Sequence, residues 1–131
     1  MLSMRIALRW APALMMMALI FLASSTPASQ LPYFGALDFL VKKGGHAIGY
    51  ALLGMAYFFA LPARLSVLYR AVTALLMAVL FSLSDEFHQS FVEGRTSTLR
   101  DVLIDTVGAG LALFAAAIYS SASKSSSKSA S

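Results

Sequence analysis

Four apolar runs of near-membrane length take up most of this 131-residue chain and leave few folds open to it. They extend from about Ile6 to Ala23, Gly44 to Ala63, Leu65 to Ser84 and Leu99 to Tyr119. A bilayer core needs about 20 helical residues. Each run is also apolar around its whole circumference, unlike a surface helix of a soluble domain. Charged residues make up 12% of the chain, against about 25% in soluble domains, so the composition suits lipid rather than water. The expected fold is all-α: an integral membrane bundle of four transmembrane helices, one unit over residues 1–120.

The first run has a competing reading. Arg5 and Arg9, an apolar core and then "SSTPAS" resemble a secretory signal with a small-residue cleavage site. Three further apolar runs make a retained first helix the more economical expectation. Residues 121–131, "SASKSSSKSAS", contain nothing able to form a core and are expected to be a disordered tail.

Charge distribution sets the expected orientation. Arg5, Arg9, Arg64, Arg70, Lys124 and Lys128 fall at one end of the bundle, with no acid among them. Lys42, Lys43, Arg95 and Arg100 fall at the other, with all six acids: Asp38, Asp85, Glu86, Glu93, Asp101 and Asp105. The positive-inside rule then places both termini in the cytoplasm of a multi-pass membrane protein, with the acidic end outward. Because the basic residues are scattered at helix ends rather than clustered, no nucleic-acid partner is expected. There is no cysteine, hence no disulfide or thiolate metal site.

The polar groups concentrate in "SDEFHQSFVEGRTSTLRDVLID", residues 84–105. If the third helix continues through Gln89, Asp85 and Gln89 lie one turn apart on one face, and Glu86 and Gln89 are also neighbours. Thr98 followed by Asp101 fits a capping box that starts the fourth helix. Asp101 and Asp105 then stack one turn apart. A carboxylate as deep as Asp105 costs several kcal/mol unless it is paired, protonated or in water. On the second helix, Lys42, His46 and Tyr50 form one stripe, with Lys43 three residues from His46. Gly45 and Gly49 make a small-xxx-small pair that would admit another helix closely. The groups are therefore expected to converge at one end of the bundle.

Bland roles compete for several of these residues. Glu93 and Asp38 read as solvated interface acids, and Lys42 as a snorkelling anchor. Arg95 and Arg100 serve equally well to neutralise nearby carboxylates. His88 is divided evenly between the site and a loop. Histidine plus carboxylates allow a divalent cation, the oxygen-rich set favouring Mg, Mn or Ca over zinc, but no HExxH or EF-hand spacing is present. The expectation is no cofactor, with a divalent cation left as the open alternative. No GxSxG, P-loop or dinucleotide pattern occurs.

"KGGHAIGY", Lys43 to Tyr50, followed by "SDEFHQSFVEGRTSTLRDVLIDTVGAGL", Ser84 to Leu111, resembles the VanZ-like family of small bacterial membrane proteins. The pattern is carried by Lys43, His46 and Tyr50, then Asp85, Glu86 and Gln89, then Gly94, Arg95 and Thr96, then Asp101, Asp105 and Gly108. Matching blocks span about residues 38–112. Three positions depart from the family: Lys42 where aspartate is frequent, Glu93 where proline is frequent, and Asp105 where asparagine is usual. The resemblance implies a polytopic envelope protein, the founding member being associated with resistance to the glycopeptide teicoplanin.

The functional expectation is an outward-facing polar site that binds or modifies an extracytoplasmic or lipid-linked ligand, linked through the resemblance to glycopeptide resistance. His46, Asp85, Glu86, Asp101 and Asp105 are its acid–base candidates. Lys43, Tyr50, Gln89, Arg95 and Thr96 are its ligand-binding candidates, and no residue is assigned to a metal. Whether a reaction occurs is left open, since acid–base residue types alone do not establish one. The expected partners are membrane lipid and a lipid-linked or envelope ligand; the sequence sets no oligomeric state. A small proton-coupled transporter and a structural assembly factor without catalysis are the alternative classes.

Overall fold

The computed structural model describes the backbone of residues 2–129 and the side chains of residues 4–127. Four helices follow in order: α1 (Leu2–Ser24), α2 (Asp38–Ala60), α3 (Val67–Gln89) and α4 (Leu99–Ser129). Two short 3₁₀ turns, Ala28–Gln30 and Gly35–Leu37, lie between α1 and α2. No strand occurs among the described residues.

Side-chain caps mark where α3 and α4 begin. Ser66 precedes α3 and its hydroxyl accepts from the Tyr69 amide at 3.1 Å, an N-cap that satisfies an otherwise orphaned donor. At α4 the Thr98 hydroxyl accepts from the Asp101 amide at 3.3 Å and donates to the Asp101 carboxylate at 3.0 Å. The far end of α2 is closed from outside. Arg9 of α1 donates to the carbonyls of Phe59 and Leu61, and Arg70 of α3 donates to Phe58. Cations at a helix C-terminus satisfy free carbonyls and complement the helix dipole.

The interior is built from α2 outward. Tyr50, Leu53, Tyr57 and Phe58 pack against Ala74 and Ala78 of α3, Ala109, Leu113 and Ala116 of α4, and Ala13 and Ile20 of α1. α2 touches each of the other three helices and packs most extensively against α4. That pair is held closely at Gly108, where an added Cβ would lie 2.3 Å from the Ala47 carbonyl oxygen. Gly54 faces Ala109 on the same side, in ordinary van der Waals contact at 3.4 Å. The Gly45–Gly49 pair expected to seat a helix does not do so. Gly49 meets only Ile20, at 3.6 Å, and Gly45 has open space beside it.

Polarity is inverted relative to a water-soluble protein. Leu80 is 66% exposed and Leu111 68%, whereas Asp105 is 1% exposed. Outward leucines around inward carboxylates are what a lipid solvent selects. Among the described residues three helices are long and apolar enough to cross a membrane: α1 over Met4–Ser24, α3 over Val67–Gln89 and α4 over Leu99–Ser127. α2, expected as the fourth, equals α3 at 23 residues but falls short in hydropathy. Lys42, Lys43, His46, two tyrosines and four glycines dilute it. As the helix most enclosed by its neighbours, it presents less surface that must be apolar.

The serine-rich segment expected to be disordered continues α4 as helix to Ser129, with residues 121–127 exposed. Extending a helix already nucleated in the bundle fixes one residue per added hydrogen bond, so weak formers can follow it.

Candidate functional site

α1 and α3 end where α2 and α4 begin, so the polar residues of four helices meet at one end of the bundle. α3 contributes the charge-bearing floor. Asp85, Glu86 and Gln89 are all buried, and α3 continues past the apolar run's end at Ser84 through Gln89. Asp85 accepts at 2.7 Å from the Ser24 hydroxyl at the close of α1, and at 3.2 Å from the Gln89 amide. That amide also donates to Ser24 at 3.1 Å, closing a small network. Glu86 accepts from the Thr98 backbone amide at 3.0 Å, so the α4 N-terminus is tied to α3 by a charge-assisted bond.

α2 and α4 face each other across this floor. The Lys43 ammonium pairs with Asp101, which is 4% exposed. One turn deeper, His46 Nδ1 lies 3.6 Å from Asp105 Oδ1. The other Asp105 oxygen accepts from the Ser82 hydroxyl at 2.7 Å. Tyr50 stands below His46, its ring stacked at 6.4 Å between centroids. Four buried polar atoms make no hydrogen bond among the described residues: His46 Nδ1, Tyr50 Oη, Asp85 Oδ1 and Asp105 Oδ1. Orphans of this kind are uncommon in native interiors, and a shared location marks a place where a ligand, ion or water completes the set.

A cavity of about 610 Å³ opens beside this cluster. Its α1 wall is apolar, formed by Met16, Leu19, Ile20 and Ala23, while Asp38, Lys42, Lys43, His46 and Arg95 line its polar side. Tyr50, Gln89 and Thr96 also reach it. Arg95 is partly buried and has no carboxylate within ion-pair distance among the described residues. The loop bearing it is shaped by Gly94, whose φ of +71° suits glycine, and whose Cβ position lies 2.9 Å from Ala28. The Ala28 amide donates to the Glu93 carbonyl at 3.1 Å, fastening the two loops at this end together.

The structure thus brings Lys43, His46, Tyr50, Asp85, Glu86, Gln89, Asp101 and Asp105 into one cluster, with Arg95 and Thr96 on the cavity wall. His88 stands apart, stacked on Phe21 at 4.4 Å and hydrogen-bonded to Ser25. Lys42 pairs with Asp38 at 2.8 Å, and Arg100 lies over the Phe39 ring. Two participants had no signal in the sequence reading, Ser24 and Ser82. A serine in an apolar helix bonds most simply to its own backbone, so only the facing carboxylates identify these two.

Chemically, the cluster offers general acid–base groups, cation ligands and an anion-attracting wall. One donor atom each from His46, Glu86 and Asp105 lies within 4.8 Å of the others, a spacing compatible with a shared metal ion. Among known proteins, the sequence model of a family described as VanZ/LLP1 matches residues 9–120. No curated protein and no solved structure matches the chain.

Proposed function

The chain belongs to the VanZ-like family, and from that premise we propose that its polar end receives an anionic, lipid-linked ligand at the outer face of the bacterial cytoplasmic membrane. In this reading α2 crosses the bilayer with the three more apolar helices. Both termini lie in the cytoplasm, as the six basic residues at the far end favour. The observation that carries the proposal is the cavity of about 610 Å³. It joins an apolar wall on α1 to a polar wall at Arg95, beside Lys42 and Lys43, which are paired with Asp38 and Asp101. An acyl or prenyl chain suits the first, and a phosphate or carboxylate suits the second. Arg95, with no acid paired to it among the described residues, is the group best placed to bind such an anion bidentately.

All six acids lie at the same end of the chain's helices. A proton-coupled transporter needs an ionisable group reachable from both sides, near the midplane, so this distribution favours a one-sided site. Glycopeptide resistance is the phenotype that the family suggests for such a ligand, and modification of it would rest on His46 with a neighbouring carboxylate.

Native mass spectrometry of the purified protein, with short-chain phosphatidate and the zwitterionic phosphocholine analogue as probes, tests the proposal. Phosphatidate is expected to remain bound in preference to phosphocholine, and Arg95→Gln to reduce its binding about tenfold. Equal retention of the two lipids, or no effect of Arg95→Gln, would remove the basis for an anion site. Expression in a teicoplanin-sensitive host, comparing wild type with Arg95→Gln, tests the link to resistance.

A further inference from the structure

We propose that His46, Glu86 and Asp105 form a binding site for one divalent first-row transition cation, buried at the floor of the polar end. The three come from α2, α3 and α4 respectively, and their donor atoms lie within 4.8 Å of one another. His46 Nδ1 and Asp105 Oδ1 are 3.6 Å apart. That is too long for a hydrogen bond, yet near the roughly 3.4 Å that separates two ligands of a tetrahedral ion with bonds of about 2.0–2.1 Å.

The second observation is independent of that spacing. Asp105 has a side chain 1% exposed, and its Oδ1 has no hydrogen-bond partner among the described residues. It points at His46 Nδ1, itself buried and unpartnered. The remaining oxygen of Asp105 is held by the Ser82 hydroxyl at 2.7 Å, and Glu86 is held by the Thr98 amide at 3.0 Å. Ligands steadied by outer hydrogen bonds while an inner donor stays free are the arrangement that metal sites use. Lys43 is committed to Asp101, so no lysine or arginine forms an ion pair with Glu86 or Asp105 among the described residues. Two carboxylates enclosed this deeply carry a large desolvation cost unless neutralised, and a divalent ion matches their charge.

Ligand chemistry narrows the cation. One imidazole with two carboxylates suits Mn²⁺, Fe²⁺ or Zn²⁺, whereas Mg²⁺ and Ca²⁺ favour oxygen alone. Three protein ligands leave a coordination position, and His46 reaches the cavity wall, so a bound cation would face the space where the proposed ligand sits. The inference rests on the polar cluster invoked for that ligand, but not on the lipid itself.

Mn²⁺ is the probe, titrated into the detergent-purified full-length protein after chelator treatment and followed by electron paramagnetic resonance. One Mn²⁺ per chain is expected, with nitrogen coupling from His46 in the pulsed spectrum. Glu86→Gln and His46→Gln should each weaken binding at least tenfold, and His46→Gln should abolish the coupling. Absence of saturable binding by the wild type overturns the site, as does binding without nitrogen coupling or binding insensitive to both substitutions. Nitrogen coupling is read on the wild type, so the test survives a variant that fails to fold. Arg95→Gln separates the two readings. Loss of phosphatidate with Mn²⁺ retained is expected if both hold, phosphatidate bound by a chain that takes up no Mn²⁺ sinks only the cation site, and Mn²⁺ uptake without phosphatidate sinks only the ligand.

Discussion

Asp85 shows what single residues contribute here. It is 2% exposed and has no cation paired with it among the described residues; its partners are the Ser24 hydroxyl and the Gln89 amide. Ser24→Ala removes the 2.7 Å donor from a buried carboxylate and leaves the Gln89 amide with one acceptor fewer. A loss of about 1–3 kcal/mol is expected, read as a lower thermal midpoint in fluorescence-detected size exclusion. No change would mean that α1 does not complete the cluster. The carboxylates, Lys43, His46 and Gln89 were legible beforehand because charged and amide groups inside apolar runs are costly and need partners. The serines were not. Their hydroxyls satisfy themselves on any helix, and only the tertiary neighbour reveals a second use.

Among helices, the close approach of α2 and α4 decides how the site is assembled, because it sets Lys43 against Asp101 and His46 beside Asp105. Gly108 sits at that contact, so Gly108→Ala must push α2 back from a Cβ otherwise 2.3 Å from the Ala47 oxygen. Overpacking of this kind costs about 1–3 kcal/mol, and thermal stability should fall accordingly. Gly110→Ala, with nothing within 4 Å, should instead hold or raise the midpoint, by up to about 1 kcal/mol in stability. The cross-helix ion pair is tested separately. Lys43→Glu should destabilise the protein by about 3–5 kcal/mol, with Asp101→Lys in the same chain recovering part of that loss. No coupling in the double-mutant cycle would contradict the pairing. The sequence pointed to Gly45 and Gly49 by their spacing; Gly108 entered only through the family pattern and Gly54 not at all, yet these two face the α2–α4 contact. Small-residue spacing marks where a helix can be approached, while the direction each glycine faces depends on the whole bundle. Hydropathy likewise served α1, α3 and α4 better than α2, whose enclosure by the others is invisible in its own residues.

For the molecule as a whole, the chain separates its functions by end. Arg9 and Arg70 close α2 at one end through the carbonyls of Phe58, Phe59 and Leu61. The carboxylates, His46 and the cavity occupy the other. Arg70→Met should therefore lower stability by about 1–3 kcal/mol, through the unpaired Phe58 carbonyl, yet leave phosphatidate affinity in the folded fraction unchanged. Altered affinity would show that the two ends are coupled. The all-helical architecture and the gathering of polar groups at one end were readable from run length and charge placement. The cavity was not, since its apolar wall on α1 is made of residues indistinguishable in sequence from those that face lipid. Whether this polar end faces outward is decided by single-cysteine labelling, for which the chain is suited because it has no native cysteine. A membrane-impermeant maleimide added to intact cells should label Glu93→Cys and reach Ser66→Cys only after permeabilisation; labelling in the reverse pattern would place the site in the cytoplasm and contradict the account.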